Sequence, residues 1–206
     1  MLGDAPSCAM RSWPRPIGSL VAAWALLLVF TMSGGCASKP EVMPQDAFWN
    51  SVSGLCGKAY PGRVVVDSTA SPTFADKTLT LLVRDCDDER LTMPLLIDGQ
   101  PWVELILARE DGNLRLTHAH EGLPLAQGLA SGYGGVTRAG GTPISQDFYA
   151  TEFTVELQED AQNTIWTIEI RPDAVLSYSL RREGTDRRFR AVFDLMRGRP
   201  AATTLR

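Results

Sequence analysis

Two histidines, the only ones in the chain, stand two residues apart in Leu114-Arg115-Leu116-Thr117-His118-Ala119-His120. Imidazole titrates near neutral pH and is the commonest metal ligand, so this pair is the first place to look for chemistry. In a strand, alternate residues share a face. Leu114, Leu116, His118 and His120 therefore point one way, and Arg115, Thr117 and Ala119 the other. The leucines mark the first face as the inner one. Two imidazoles roughly 6.5–7 Å apart along one strand can share a metal or hold a polar ligand. Zinc needs a third protein ligand, and the carboxylates of Glu121 and Glu104 are the candidates. Tyr133 is a further candidate ligand contact beside His118 and His120. The plain alternative is a pair of part-buried histidines at a strand end, hydrogen-bonded to their neighbours. No cofactor is implied.

Other chemistry-bearing patterns fall short of a site. The spacing Gly112-x5-His118-x-His120 resembles the opening of the cupin metal motif. That motif continues with a glutamate where this chain has Pro124 and Leu125, and with a further histidine that the chain lacks. Ser131-Gly132-Tyr133-Gly134-Gly135 has neither the glycine spacing nor the lysine of a phosphate loop. It also misses the G-x-S-x-G nucleophile pattern. Asp85, Asp87, Asp88 and Glu89 lack the glycine of a calcium loop, and read as a solvated turn. Trp49, Trp102 and Trp166 read as core residues.

The elements that carry these residues are mostly strands. Asp46 is placed to cap a helix whose apolar stripe is Phe48, Trp49, Val52, Leu55 and Cys56, ended by Gly57. Strands are expected at Val64–Asp67, Thr78–Arg84, Arg90–Ile97, Trp102–Arg109, Leu114–His120 and Tyr133–Thr137. Asp98-Gly99 and Asp111-Gly112 mark tight hairpin turns. Phe153 and Leu157 suggest a brief helix within Thr151–Glu159. Three alternating runs follow, at Trp166/Ile168/Ile170, Leu176/Tyr178/Leu180 and Phe189/Ala191/Phe193/Leu195. Short turns at Pro172-Asp173 and Gly184 make them antiparallel neighbours. The sum is a mainly β fold, an antiparallel barrel or strongly curved sheet of about eight strands with one N-terminal helix. The alternative is an α+β fold with the helix packed on an open antiparallel sheet.

The first forty residues read as targeting. Arg11 and Arg15 precede an apolar run from Leu20 to Phe30. That run is short of the ~20 residues a bilayer span needs and suits a signal-peptide core. Ser33, Gly34 and Gly35 then lead to Cys36. The segment resembles the bacterial lipoprotein signal, which ends at a cysteine that is acylated and becomes the mature N-terminus. By that resemblance, residues 1–35 are the signal peptide and residues 36–44 a lipidated N-terminus and tether. Ala37 and Ser38 after the cysteine favour the outer membrane, so the expected location is its periplasmic face, held by lipid (palmitate or a similar acyl chain). Met10 is a second candidate start. Cleavage by an ordinary secretory peptidase, giving a soluble periplasmic or secreted protein, is one alternative, and an uncleaved membrane helix another.

The mature part, about 170 residues, is one domain by size. It is expected over 45–198, with a tail at 199–206. Its two remaining cysteines, Cys56 and Cys86, read as a disulfide in an oxidising compartment. The loop closed is worth roughly 3.5 kcal/mol in the chain-entropy picture. Two buried free thiols are the alternative. The net charge of −4 argues against a nucleic-acid surface. The charge is uneven: beyond Ile170, arginines outnumber acids.

Several runs together resemble a family of small secreted bacterial proteins, often lipoproteins, without an assigned activity. They are Leu55-Cys56-Gly57-Lys58-Ala59-Tyr60, Val83-Arg84-Asp85-Cys86, Leu114-Arg115-Leu116 with His118-Ala119-His120, and Tyr133-Gly134-Gly135. Gly141-Thr142, Gln146-Asp147-Phe148 and Phe189-Arg190-Ala191-Val192-Phe193-Asp194-Leu195 complete them. The resemblance implies export and no chemistry. The expected function is a non-enzymatic envelope lipoprotein that binds a small ligand or an envelope protein. One alternative is a metal-dependent enzyme using His118 and His120. Another is a structural or assembly lipoprotein that docks through its basic C-terminal hairpin, with Arg187, Arg188 and Arg190 at its centre.

Overall fold

The computed structural model describes residues 43–69, 71–120, 122–123, 130–138 and 140–201. Cys36, the expected signal peptide and Glu121 lie outside these residues.

Helix α1 spans Pro44–Ser53. Ten strands then follow the chain: β1 Lys58–Asp67, β2 Leu79–Val83, β3 Arg90–Ile97, β4 Gln100–Glu110 and β5 Asn113–Ala119, then β6 Tyr133–Thr137, β7 Ser145–Ala150, β8 Thr164–Arg171, β9 Val175–Arg182 and β10 Arg188–Asp194. A short helix α2, Glu152–Leu157, sits between β7 and β8. Each strand pairs antiparallel with the next, and β10 returns to pair with β1. The sheet is therefore a closed up-and-down barrel of ten strands, not about eight. A two-residue strand β11, Arg199–Pro200, adds to the start of β1, so the expected tail begins inside the sheet. Closure removes the edges that an open sheet must protect.

Turn chemistry sets the local register. Asp98 and Gly99 have φ of 48° and 80°, and Asp111 and Gly112 have 49° and 77°. Two consecutive positive φ values match the twist of the flanking strands, which is why Asp-Gly recurs at both hairpins. The seam between β1 and β10 needs a different device. A Cβ on Gly62 would lie 2.6 Å from the Val192 carbonyl oxygen and 2.3 Å from the Phe193 ring. Only glycine lets the backbones approach there. Three residues further on, a bulge between Val64 and Val66 leaves Val65 unpaired with β10.

Inward side chains from all ten strands meet in one core, including Tyr60, Leu81, Leu95, Leu107, Leu116, Phe148, Trp166, Tyr178 and Phe193. Helix α1 adds Phe48, Trp49 and Val52 at one end of the barrel. Two expectations about this helix need correction. Asp46 does not cap it: Met43 is the cap residue, without a side-chain bond, and Pro44 opens the first turn. Proline suits that position because its missing N–H has no helical partner there. Asp46 instead pairs with Arg109, whose guanidinium lies 4.8 Å from the Trp49 ring centroid. The helix ends at Ser53, so Cys56 lies in the following turn rather than on a helical face. Its sulfur is at disulfide distance from Cys86, with Cα atoms 6.4 Å apart. The bridge ties the turn after α1 to the turn between β2 and β3.

Candidate functional site

The histidines lie at the end of the barrel opposite α1. The helix touches the other end through Gln45, whose Nε2 donates to Thr137 Oγ1 at 2.9 Å, beside Leu114 at the start of β5. Strand β5 then runs away from the helix. Its inner row is Leu114, Leu116 and His118, and its outer row is the less buried Arg115, Thr117 and Ala119. His120 follows immediately after β5 and is 4% exposed; His118 is 2% exposed.

Both imidazoles are held by named partners. His118 Nδ1 is 3.2 Å from the Tyr133 carbonyl oxygen, and its Nε2 is 2.6 Å from Tyr178 Oη. His120 Nδ1 is 3.0 Å from the Trp102 carbonyl oxygen, and its Nε2 is 3.2 Å from Tyr133 Oη. A carbonyl can only accept, so each Nδ1 carries its proton and donates it. Each Nε2 is then the accepting nitrogen, and each tyrosine hydroxyl is the donor. With neutral rings, the two His–Tyr pairs thus have one consistent assignment of protons. Tyr133 serves twice, since its ring also stacks on His118 at 4.6 Å and 6°.

Burial enforces that assignment. Desolvation is the main reason the His118 pKa sits at about 3; the bond to the Tyr133 carbonyl opposes it only in part. Burial also pushes Tyr133 up to about 12 and Tyr178 well above the ordinary phenol value, although the Arg187 charge offsets some of the latter. A neutral imidazole and a protonated phenol are the forms that survive in this environment.

An aromatic layer surrounds the pairs. Trp166 lies 5.2 Å from His118, and Trp102 lies 5.9 Å from His120. Phe74, from the loop after β1, packs edge-on against Trp102 at 5.0 Å and also against Phe189 at 5.1 Å. The layer is anchored to the backbone through Ser131, whose Oγ accepts from His120 N, and through Gly132, whose N–H donates to the His118 carbonyl. The glycine-rich run is structural. A Cβ on Gly134 would come within 1.9 Å of the Leu116 carbonyl oxygen. Thr154 of α2 makes two 2.7 Å bonds to the Gly134 backbone.

The structure therefore brings His118, His120 and Tyr133 into one layer. It does not bring Glu104 there. Glu104 alternates with the buried Val103 and Leu105, faces out of the barrel, and pairs with Arg84 at 2.7 Å. Glu104 is thus corrected as a metal ligand: strand parity puts it on the wrong side of the wall. Among the described residues no group of three or more metal-ligating side chains converges. A metal on either Nε2 would have to displace a tyrosine hydroxyl. Tyr178 is the member that sequence reasoning missed. Its alternation with Leu176 and Leu180 already marked it as inward; what joins it to His118 is register across several strands.

The basic C-terminal strands are largely paired with acids. Arg181 meets Asp147 at 2.8 Å, Arg182 meets Asp160 at 3.0 Å, and Arg187 meets Asp67 at 3.1 Å. Arg190 reaches Glu169 at 3.4 Å. The charge excess seen in the sequence is mostly absorbed by cross-strand ion pairs. No protein-family description matches the chain, and neither a curated protein sequence nor a solved structure was found to match it.

Proposed function

We propose that this chain is a cell-envelope lipoprotein, anchored through Cys36, that works by binding rather than by catalysis and binds on its outer wall. The observation that carries this reading is the closed hydrogen-bond pattern of the two His–Tyr pairs. The most reactive side chains of the inner face spend both ring nitrogens on protein partners. A catalytic base or a metal ligand needs an accessible lone pair. A buried polar pair that is fully bonded costs little and fixes one packing arrangement of the core. The interior then serves as a rigid support, and the wall is left to meet a partner.

Membrane fractionation and fatty-acid labelling test the anchor. Wild-type protein should partition with membranes and take label, and Cys36→Ser should do neither. Metal analysis of the purified chain tests the rest. Stoichiometric zinc, nickel or copper that disappears in His118→Phe would transfer the function to the interior.

A further inference from the structure

Chain length limits which end of the barrel an anchor at Cys36 can turn toward lipid. Seven peptide units join Cys36 to Met43, the cap residue of α1. Fully drawn out, they span at most roughly 25 Å. Gln45 bonds to Thr137 at the end of β6, and Asp46 to Arg109 near the end of β4, so Met43 lies at the α1 end of the barrel. The wall is about as tall as that reach. Strand β4 has 11 residues, which at ~3.4 Å each and an ordinary tilt of about 40° stand roughly 25 Å high. A tether drawn straight along the wall would only just arrive at the histidine end. An anchor at Cys36 would therefore hold the α1 end near the membrane.

That end carries the side chains that suit a lipid surface. Met196 is 78% exposed, Met43 64% and Ile144 44%. Met196 sits in the single turn of 3-10 helix, Leu195–Arg197, that follows β10. Ile144 precedes β7, and its carbonyl accepts from Ile170 N near the end of β8. Cations flank Met196. Arg197 is its neighbour in the chain, and Arg199 of β11 lies opposite Ala59, next to Lys58. Lys58, Arg197 and Arg199 are exposed and make no ion pair among the described residues. The exposed acids of this end, Asp173 aside, lie elsewhere on the rim, at the β2–β3 and β4–β5 turns. Exposed apolar side chains beside uncompensated cations match the headgroup region of an anionic bilayer. The histidine end also exposes Phe153 and Leu157, on α2, but it has no such tether beside it.

We infer that the α1 end of the barrel is a membrane-contact surface. Met43, Ile144 and Met196 enter the headgroup region of an anionic bilayer, and Lys58, Arg197 and Arg199 meet its phosphates. The inference rests on the anchored-lipoprotein reading above and names the surface that the anchor brings to lipid. It turns the histidine end away from the membrane.

The Cys36→Ser chain, which cannot be acylated at that position, tests the surface by itself. A short tether gives a local concentration in the millimolar range, so millimolar lipid is the range that matters. Vesicles of equal parts phosphatidylglycerol and phosphatidylcholine should bind the chain there, and phosphatidylcholine alone at least tenfold more weakly. Arg197→Glu with Arg199→Glu should weaken binding about tenfold and leave the melting temperature unchanged, since both side chains are exposed. In a background that also carries Cys8→Ser, with Cys56 and Cys86 bridged, Met196→Cys, Ile144→Cys or Phe153→Cys supplies the one free thiol for an environment-sensitive fluorophore. Emission should shift to the blue on vesicles from positions 196 and 144 and not from 153. No binding at millimolar lipid, equal binding to neutral vesicles, full affinity after charge reversal, or a shift from position 153 as large as that from 196 would each overturn the inference. Fatty-acid labelling of wild type reads the anchor separately, so either result can fail without the other.

Discussion

At the scale of single residues, the His118–Tyr178 pair is a stability device with a pH signature. Folded His118 stays neutral down to about pH 3, whereas an unfolded imidazole takes up a proton near 6.5. Between those values the unfolded chain binds more protons than the folded one. Stability therefore falls as pH falls through that window, by up to about 1.4 kcal/mol per pH unit from this one group. Above it the group contributes no slope. Replacing His118 with phenylalanine should cost roughly 1–3 kcal/mol at pH 7, since the Tyr178 hydroxyl loses its buried acceptor. The same variant should lose less stability than wild type between pH 6.5 and 4.5. Denaturant unfolding of both proteins across that range decides the matter. Parallel curves would mean that His118 does not titrate on unfolding as its burial requires.

At the scale of elements, closure of the barrel depends on positions with no side chain. Gly62→Ala would push a methyl group against the Val192 carbonyl oxygen and the Phe193 ring. Backbone cannot move aside as a flexible side chain can, so the seam should open or shift, costing about 1–3 kcal/mol by the usual scale of overpacking. A melting temperature unchanged by Gly62→Ala would show that the seam is looser than its register suggests. The same strand illustrates what the sequence could and could not reveal. Expected at Val64–Asp67, β1 begins six residues earlier, at Lys58. Pro61 and Gly62 hide its first half, because proline and glycine normally break strands. Pro61 is tolerated because, on the side facing β10 and β11, it lies between their pairings, at Gly62 and Ala59. Strand β7 was hidden too. Its buried positions are Gln146 and Phe148, a polar and an aromatic residue, so no apolar alternation marks it. By contrast β3, β4, β5 and the last three strands were legible, since Asp-Gly turns and strict alternation are local signals. Of the site, strand parity gave the inward histidines and Tyr133 is their cross-strand neighbour. Tyr178 depends on pairing across four further strands, from β6 to β9, and that register is a property of the closed barrel.

At the scale of the whole molecule, the order of strands divides the contacts into two kinds. Nine of the barrel's ladders join strands adjacent in sequence, and one, β1 with β10, joins residues more than a hundred positions apart. Local hairpins close at small entropic cost, whereas the seam can form only after the whole sheet has curled. The disulfide does not help, because Cys56 and Cys86 restrain β1 toward β2 and β3 and not toward β10. The seam should therefore be absent from the folding transition state. Substitutions there should act on unfolding, and substitutions in the central hairpins on folding. Val64 faces the core from β1 at the seam, and Leu107 is fully buried in the β4–β5 hairpin. Val64→Ala should speed unfolding and leave the folding rate within about twofold, whereas Leu107→Ala should slow folding several-fold. Stopped-flow kinetics in denaturant on the oxidised chain would measure both limbs. If Val64→Ala slows folding as much as Leu107→Ala does, the barrel closes before its hairpins are complete, and the seam rather than the hairpins nucleates the fold.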